Sequence, residues 1–136
     1  MHINLRTDYA LRAVLEVAAR MDQVRPATRD DVSEAQNIPP RYLATILNEL
    51  RRAGLVTASR GPDGGYRLAT DPGSIALADV IRAVNGPLTQ VGGIRPENLE
   101  YSGSSVNLGG VWLELRAAER KLLETTTIRD LLPEKE

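Results

Sequence analysis

The feature that most constrains this chain is the run Pro39 to Leu68, PPRYLATILNELRRAGLVTASRGPDGGYRL, where a proline-opened amphipathic segment passes through one glycine into a glycine-tipped turn. Leu43, Ile46, Leu47 and Leu50 recur at i, i+3, i+4 and i+7, the spacing of one buried stripe on an α-helix. Arg41, Ala44, Thr45, Asn48 and Arg51 occupy the other face. Pro39 disfavours helix at Ile38, and Pro40 suits the first helical position, where no amide donor is needed. Gly54 is placed to stop the helix in the left-handed conformation, with Leu55 folding back on Leu50 as in a Schellman motif. Leu55 to Arg60 and Tyr66 to Ala69 then read as two short strands joined by Gly61-Pro62-Asp63-Gly64-Gly65. Such a side-chain-poor tip lets backbone amides come close to a phosphate or enter a groove, and Arg60 and Arg67 flank it with guanidinium groups.

Upstream, Leu11, Val14, Leu15, Ala18 and Met21 predict an amphipathic helix over about Thr7 to Met21, with Thr7 or Asn4 as its cap. Gln23 to Ala27 reads as a loop. Thr28-Arg29-Asp30-Asp31 is a capping-box pattern opening a short helix to Ala35, and Asn37 permits a left-handed residue before the next helix. Helix, tight turn, second helix and hairpin in this order form a winged helix-turn-helix, whose second helix lies in the DNA major groove.

The composition bears on that expectation. The net charge is −1, unlike many nucleic-acid-binding domains, which are strongly basic. The distribution is uneven, however: residues 1–70 carry net +2, residues 71–136 net −3, and Arg41 to Arg67 alone net +3. There is no cysteine, which removes disulfides, thiolate metal sites and cysteine nucleophiles together. The single histidine, His2, lies at the terminus without a cysteine partner, so no metal ligand set is expected. No paired carboxylates, Walker motif or dinucleotide-binding glycine motif points to catalysis or a cofactor. With no long apolar run and no signal-peptide pattern, a soluble cytoplasmic protein is expected, with no membrane partner.

After the turn Asp71-Pro72-Gly73-Ser74, the residues Leu77, Val80, Ile81 and Val84 predict a helix closed by Asn85-Gly86-Pro87 and covering the open side of the winged helix. Leu88 to Gly110, rich in glycine with scattered Ser and Asn, reads as an irregular, mobile loop. Leu108, Val111, Trp112, Leu115, Ala118 and Leu122 then form an apolar stripe ending near Thr125. A short helix capped by Thr127 follows, with Ile128, Leu131 and Leu132 inward. A helix beyond a flexible loop must cover its apolar face. A second copy of the chain does this while setting two recognition helices about 34 Å apart on the duplex; the alternative is packing within one chain. Three regions are therefore expected: a winged helix-turn-helix domain over 1–87, a sensor-type loop over 88–110, and a dimerisation helix with a tail helix over 111–136. The fold class is mainly α with a small β-hairpin.

Four motifs in order, TDYALRAVLEVA, RYLATILNELRRAGLV, RGPDGGYRLA and LADVIRAVNG, make the chain resemble the Rrf2 family of bacterial winged-helix regulators, which includes iron–sulphur and nitric-oxide sensors of the IscR and NsrR type. The resemblance is strong over residues 1–87 and loose over the last long helix. It implies a homodimer crossed through that helix, binding a partly palindromic operator in double-stranded DNA and usually repressing. By position it implies DNA contacts from Thr28 and Arg29, from Arg41, Tyr42, Ala44, Thr45, Asn48 and Arg51, and from Arg60, Gly64, Gly65 and Tyr66 in the wing. Each position also has a plain structural use: Tyr42 as partly core, Arg51 paired with a carboxylate, Tyr66 sealing the hairpin.

The chain departs from the family pattern in three places. Cluster-binding members carry three cysteines before the last long helix, whereas Gly86 to Gly110 has none, and Asp8 without thiolates cannot hold a cluster. Ala76 stands where a capping threonine is common, with Ser74 as the available substitute. Ala44 stands where Glu or Gln is common, which suits contact with a thymine methyl. A regulator without an iron–sulphur cluster is expected, responsive to a small molecule near Tyr101 and Trp112, to a protein partner on the same segment, or to protein level alone. A winged-helix protein-interaction module without DNA binding is the rival.

Overall fold

A computed structural model describes residues 2–134. The chain runs α1 (Leu5–Ala19), α2 (Arg29–Gln36), α3 (Pro40–Arg52), β1 (Val56–Ser59), β2 (Gly65–Leu68), α4 (Leu77–Asn85), α5 (Leu108–Thr125) and α6 (Ile128–Leu131). This is the mainly helical fold with one small hairpin that the sequence predicts.

α1 is the hub and packs against α2, α3, α4, α6 and β2. It does so through small side chains: Thr7, Ala10, Ala13, Val14, Val17 and Ala18 are buried. Leu11, Leu15 and Met21, expected in the stripe, are half-buried at its margin. A helix enclosed on several sides needs alanines where neighbouring backbones come close, so its most buried residues are not its largest. The cap is Asn4, whose Oδ1 accepts the Thr7 amide at 2.9 Å.

The capping box on α2 forms in both directions: the Asp31 amide donates to Thr28 Oγ1 at 3.0 Å and the Thr28 amide to Asp31 Oδ2 at 2.9 Å. Asn37 adopts φ 53°, and the Ser33 hydroxyl donates to the Ile38 carbonyl at 2.6 Å, which fixes the turn into α3. Leu43, Ile46, Leu47 and Leu50 of α3 are fully buried. At its end, amides of Gly54 and Leu55 donate to carbonyls of Arg51 and Leu50, both at 3.0 Å, and Gly54 has φ +78°. This is the Schellman pattern the sequence predicts.

β1 and β2 pair antiparallel from Val56↔Leu68 to Ser59↔Gly65. Ala27, expected in a loop, joins the hairpin by exchanging two backbone hydrogen bonds with Tyr66, at 3.2 and 2.7 Å. That contact explains Gly65, where a Cβ would lie 2.6 Å from the Ala27 carbonyl oxygen.

Ser74 does not replace the missing cap at Ala76. Instead Asp79 Oδ2 accepts the Ala76 amide at 2.9 Å, and the Leu77 amide donates to the Thr126 carbonyl at 3.0 Å. The segment into α6 thus satisfies the start of α4, and Ile128 is buried beside it. Leu132 packs on the core but Leu131, expected inward, is exposed; a helix of four residues aims only one side at its neighbour.

Between α4 and α5 the chain is irregular, with short 3-10 turns at Pro96–Asn98 and Gly103–Ser105. It bonds to α5 through Thr89 to Glu119, Arg116 to Glu97, and Trp112 Nε1 to the Tyr101 hydroxyl at 2.9 Å. No residue of α5 is buried. Trp112, Leu115 and Leu123 are half-buried, whereas Leu108, Val111 and Leu122 are 40%, 51% and 65% exposed. The predicted stripe therefore divides. Leu108, Val111, Leu115, Ala118 and Leu122 step alternately by three and four, the seam spacing of paired helices, and Trp112 turns toward Tyr101 within its own chain.

Candidate nucleic-acid interface

The buried stripe of α3 fixes which residues point away from the core. Arg41, Tyr42, Thr45 and Arg51 are exposed, with Ala44 and Asn48 half-exposed between them. The Arg41 guanidinium lies 4.8 Å from the centre of the Tyr42 ring and donates to its hydroxyl at 3.2 Å. Tyr42 is 49% exposed, with its ring 6.5 Å from that of Tyr9, so it is neither wholly core nor free. Arg51 donates to Asn48 Oδ1 at 2.8 Å rather than to a carboxylate. A planar guanidinium held this way keeps donors free for a phosphate or a base edge.

Charge pairing separates two groups of arginines. Among the described residues, Arg29, Arg41, Arg51, Arg52 and Arg60 form no ion pair, nor do Arg95 and Arg120 later in the chain, whereas Arg6, Arg12, Arg20, Arg82, Arg116 and Arg129 do. Glu49, the one acid on α3, is taken up by Arg6 of α1. The exposed side of α3 is therefore locally cationic on a chain whose net charge is −1, and local charge governs phosphate contact.

Arg29 opens α2 and is exposed. Thr28 is half-buried, with its hydroxyl committed to the cap. Its amide, and then its hydroxyl, hold the Asp31 carboxyl below the ordinary value of 3.8. In the wing Arg60 is exposed. Arg67, expected beside it, points the other way and donates to the carbonyls of Met21, Gln23 and Val24 at 3.4, 3.4 and 2.9 Å. It ties the hairpin to the loop after α1. Tyr66 is half-buried against the core, and a Cβ on Gly64 would collide with the Ser59 carbonyl oxygen, so both shape the wing from inside.

The family model for Rrf2, described as an iron-dependent transcriptional regulator, matches residues 3–134. The chain belongs to the Rrf2 family. A Mycobacterium tuberculosis protein described as an HTH-type transcriptional regulator is 41% identical over 131 residues, covering 96% of this chain and 81% of the relative. CymR of Bacillus subtilis is 31% identical over 131 residues, covering 96% and 89%. The solved structure of that CymR, described as a global cysteine regulator, superposes with a TM-score of 0.81 at 30% identity, covering 96% of this chain and 95% of that one. IscR of Vibrio parahaemolyticus is 45% identical, but over 85 residues, 62% of this chain and 50% of the relative. This Rrf2 member is a winged helix-turn-helix DNA-binding transcriptional regulator.

The iron in the family description does not fit this donor set. The chain has no cysteine, and Asp8 lies 3.4 Å from Arg12 in an ion pair. Among the described residues no group of three or more His, Cys, Asp or Glu side chains is placed to hold a metal ion. The sequence also left two features of the surface unread. Arg52, exposed and without an ion pair, adds to the α3 cations, and Arg6 neutralises Glu49. The first was visible as a second arginine after Arg51; the second depends on how α1 crosses α3.

Proposed function

We propose that this Rrf2 regulator binds a partly palindromic operator as a homodimer and represses from it without an iron–sulphur cluster. The observation that carries this is the set of guanidinium groups without carboxylate partners on α2, α3 and the wing. Arg41 and Arg60 bind phosphates, with Arg29 and the Tyr42 hydroxyl beside them, and Thr28 sets the start of α2 against the backbone through its cap. Thr45 reads a base edge, Ala44 meets a thymine methyl, and Asn48 with Arg51 forms a paired donor–acceptor unit toward the groove. Gly64 and Gly65 let the wing backbone approach the duplex, with Tyr66 bracing it. The dimer forms along Leu108, Val111, Leu115, Ala118 and Leu122, with Trp112 at its edge. A small molecule or a protein partner acting near Tyr101 and Trp112 tunes the operator affinity.

Selection from a random duplex pool at about 0.15 M salt tests this, since specific binding there exceeds non-specific binding by about 10³ or more. An enriched inverted repeat is the expected result. No enrichment by a folded dimer, with or without small-molecule extract, would favour the protein-interaction module instead.

A further inference from the structure

We infer a second ligand site, a pocket for a small polyanion bearing carboxylate or phosphate groups, enclosed by the end of α4, the irregular segment and α5. A cavity of about 330 Å³ lies there, lined by Arg82, Arg95, Arg116 and Arg120 with Glu97 and Thr89. Its size falls at the lower end of the range for small-molecule sites, about 300–1,000 Å³. Residues 71–136 carry net −3, yet four of the five arginines in that half converge on this one cavity. Such convergence opposes the charge of its surroundings.

The carboxylates nearby offset only part of it. Glu97 pairs with Arg116, Glu124 pairs with Arg82, and Glu119 accepts the Thr89 hydroxyl. Among the described residues, Arg95 and Arg120 form no ion pair, and both are exposed. Two forked donors therefore remain free beside two that are already oriented, an arrangement suited to bidentate contact with more than one anionic group. Arg116 and Arg120 lie one turn apart on the side of α5 away from the Leu108–Leu122 seam, so pairing along that seam leaves the cavity open. The site is distinct from the Tyr101–Trp112 contact.

The site also joins two working parts: Arg82 belongs to α4 of the winged helix and Arg116 and Arg120 to the seam helix. A ligand bridging them would couple operator binding to the anion; this use rests on the regulatory reading above, whereas the binding itself does not.

Calorimetric titration of the full chain with inorganic pyrophosphate, and separately with citrate, at ionic strength held constant with chloride, tests the site without DNA. Saturable binding of one ion per protomer is expected, with a rise in Tm; the preferred probe distinguishes phosphate from carboxylate ligands. Arg95→Gln/Arg120→Gln should weaken it at least about tenfold, and Arg120→Glu should abolish it. Arg41→Ala/Arg60→Ala should leave it within about twofold. No saturable heat and no Tm rise with either probe, or loss in the Arg41/Arg60 variant in place of the Arg95/Arg120 variant, would overturn the proposal while leaving the DNA reading standing.

Discussion

α1 and α5 are two amphipathic helices of 15 and 18 residues, and the chain treats them in opposite ways. α1 buries six residues inside the protomer; α5 buries none and leaves Leu108, Val111 and Leu122 exposed. Both stripes look alike as patterns. Periodicity says that a face is apolar, and only the neighbours decide what covers it: α1 is enclosed by its own chain, and α5 offers its seam outward.

Mirrored charge substitutions should break this comparison if it is wrong. Val14→Asp places a carboxylate without a partner in the core and should cost more than about 4 kcal/mol, leaving little folded protein. Leu122→Asp should change protomer stability by no more than about 0.5 kcal/mol, yet shift the protein from dimer to monomer in sedimentation. Equal loss of fold in urea melts of both variants would show that α5 is held within one chain after all.

A finer contrast lies between two arginines of the hairpin. Arg67→Ala should lower stability by about 1–3 kcal/mol, because three backbone carbonyls lose a charged donor, with binding of the folded fraction little changed. Arg60→Ala should do the reverse, weakening binding to every duplex while thermal unfolding stays the same. Similar effects of both variants on both measurements would erase the distinction between bracing and binding.

Smaller again is the cap. Thr28→Ala should cost about 1 kcal/mol, measured by denaturant unfolding. The smallest effect is on pH. Asp31 is held below 3.8, first by the Thr28 amide and then by its hydroxyl, so its stabilisation is complete above the unfolded value. It is lost as pH falls through the lower folded one. Thr28→Ala should therefore reduce the acid sensitivity of Tm below about pH 4; an unchanged acid limb would remove Asp31 from the account.

What was legible in the sequence was local. Gly54, Asn37 and the Thr28–Asp31 box act within a turn of themselves, and each forms as the residue types dictate. What was not legible came from distant segments meeting. Arg67 reads as a wing cation until the loop after α1 presents its carbonyls. Ala76 looks uncapped until Thr126 arrives beside it, and Trp112 joins a stripe until Tyr101 turns it aside. In the interface, the exposed residues of α3 followed from its buried stripe. The neutralisation of Glu49 by Arg6 and the arginine-lined cavity required the tertiary fold.

Under the proposed function, an acidic chain binds DNA through a local set of unpaired arginines, presented twice by a dimer. The salt dependence of affinity for the selected duplex tests it most directly. With four or five phosphates neutralised per protomer, log K should fall against log salt with a slope of about −7 to −9, and Leu122→Asp should roughly halve it. A slope near zero, or one unchanged by Leu122→Asp, would contradict the account.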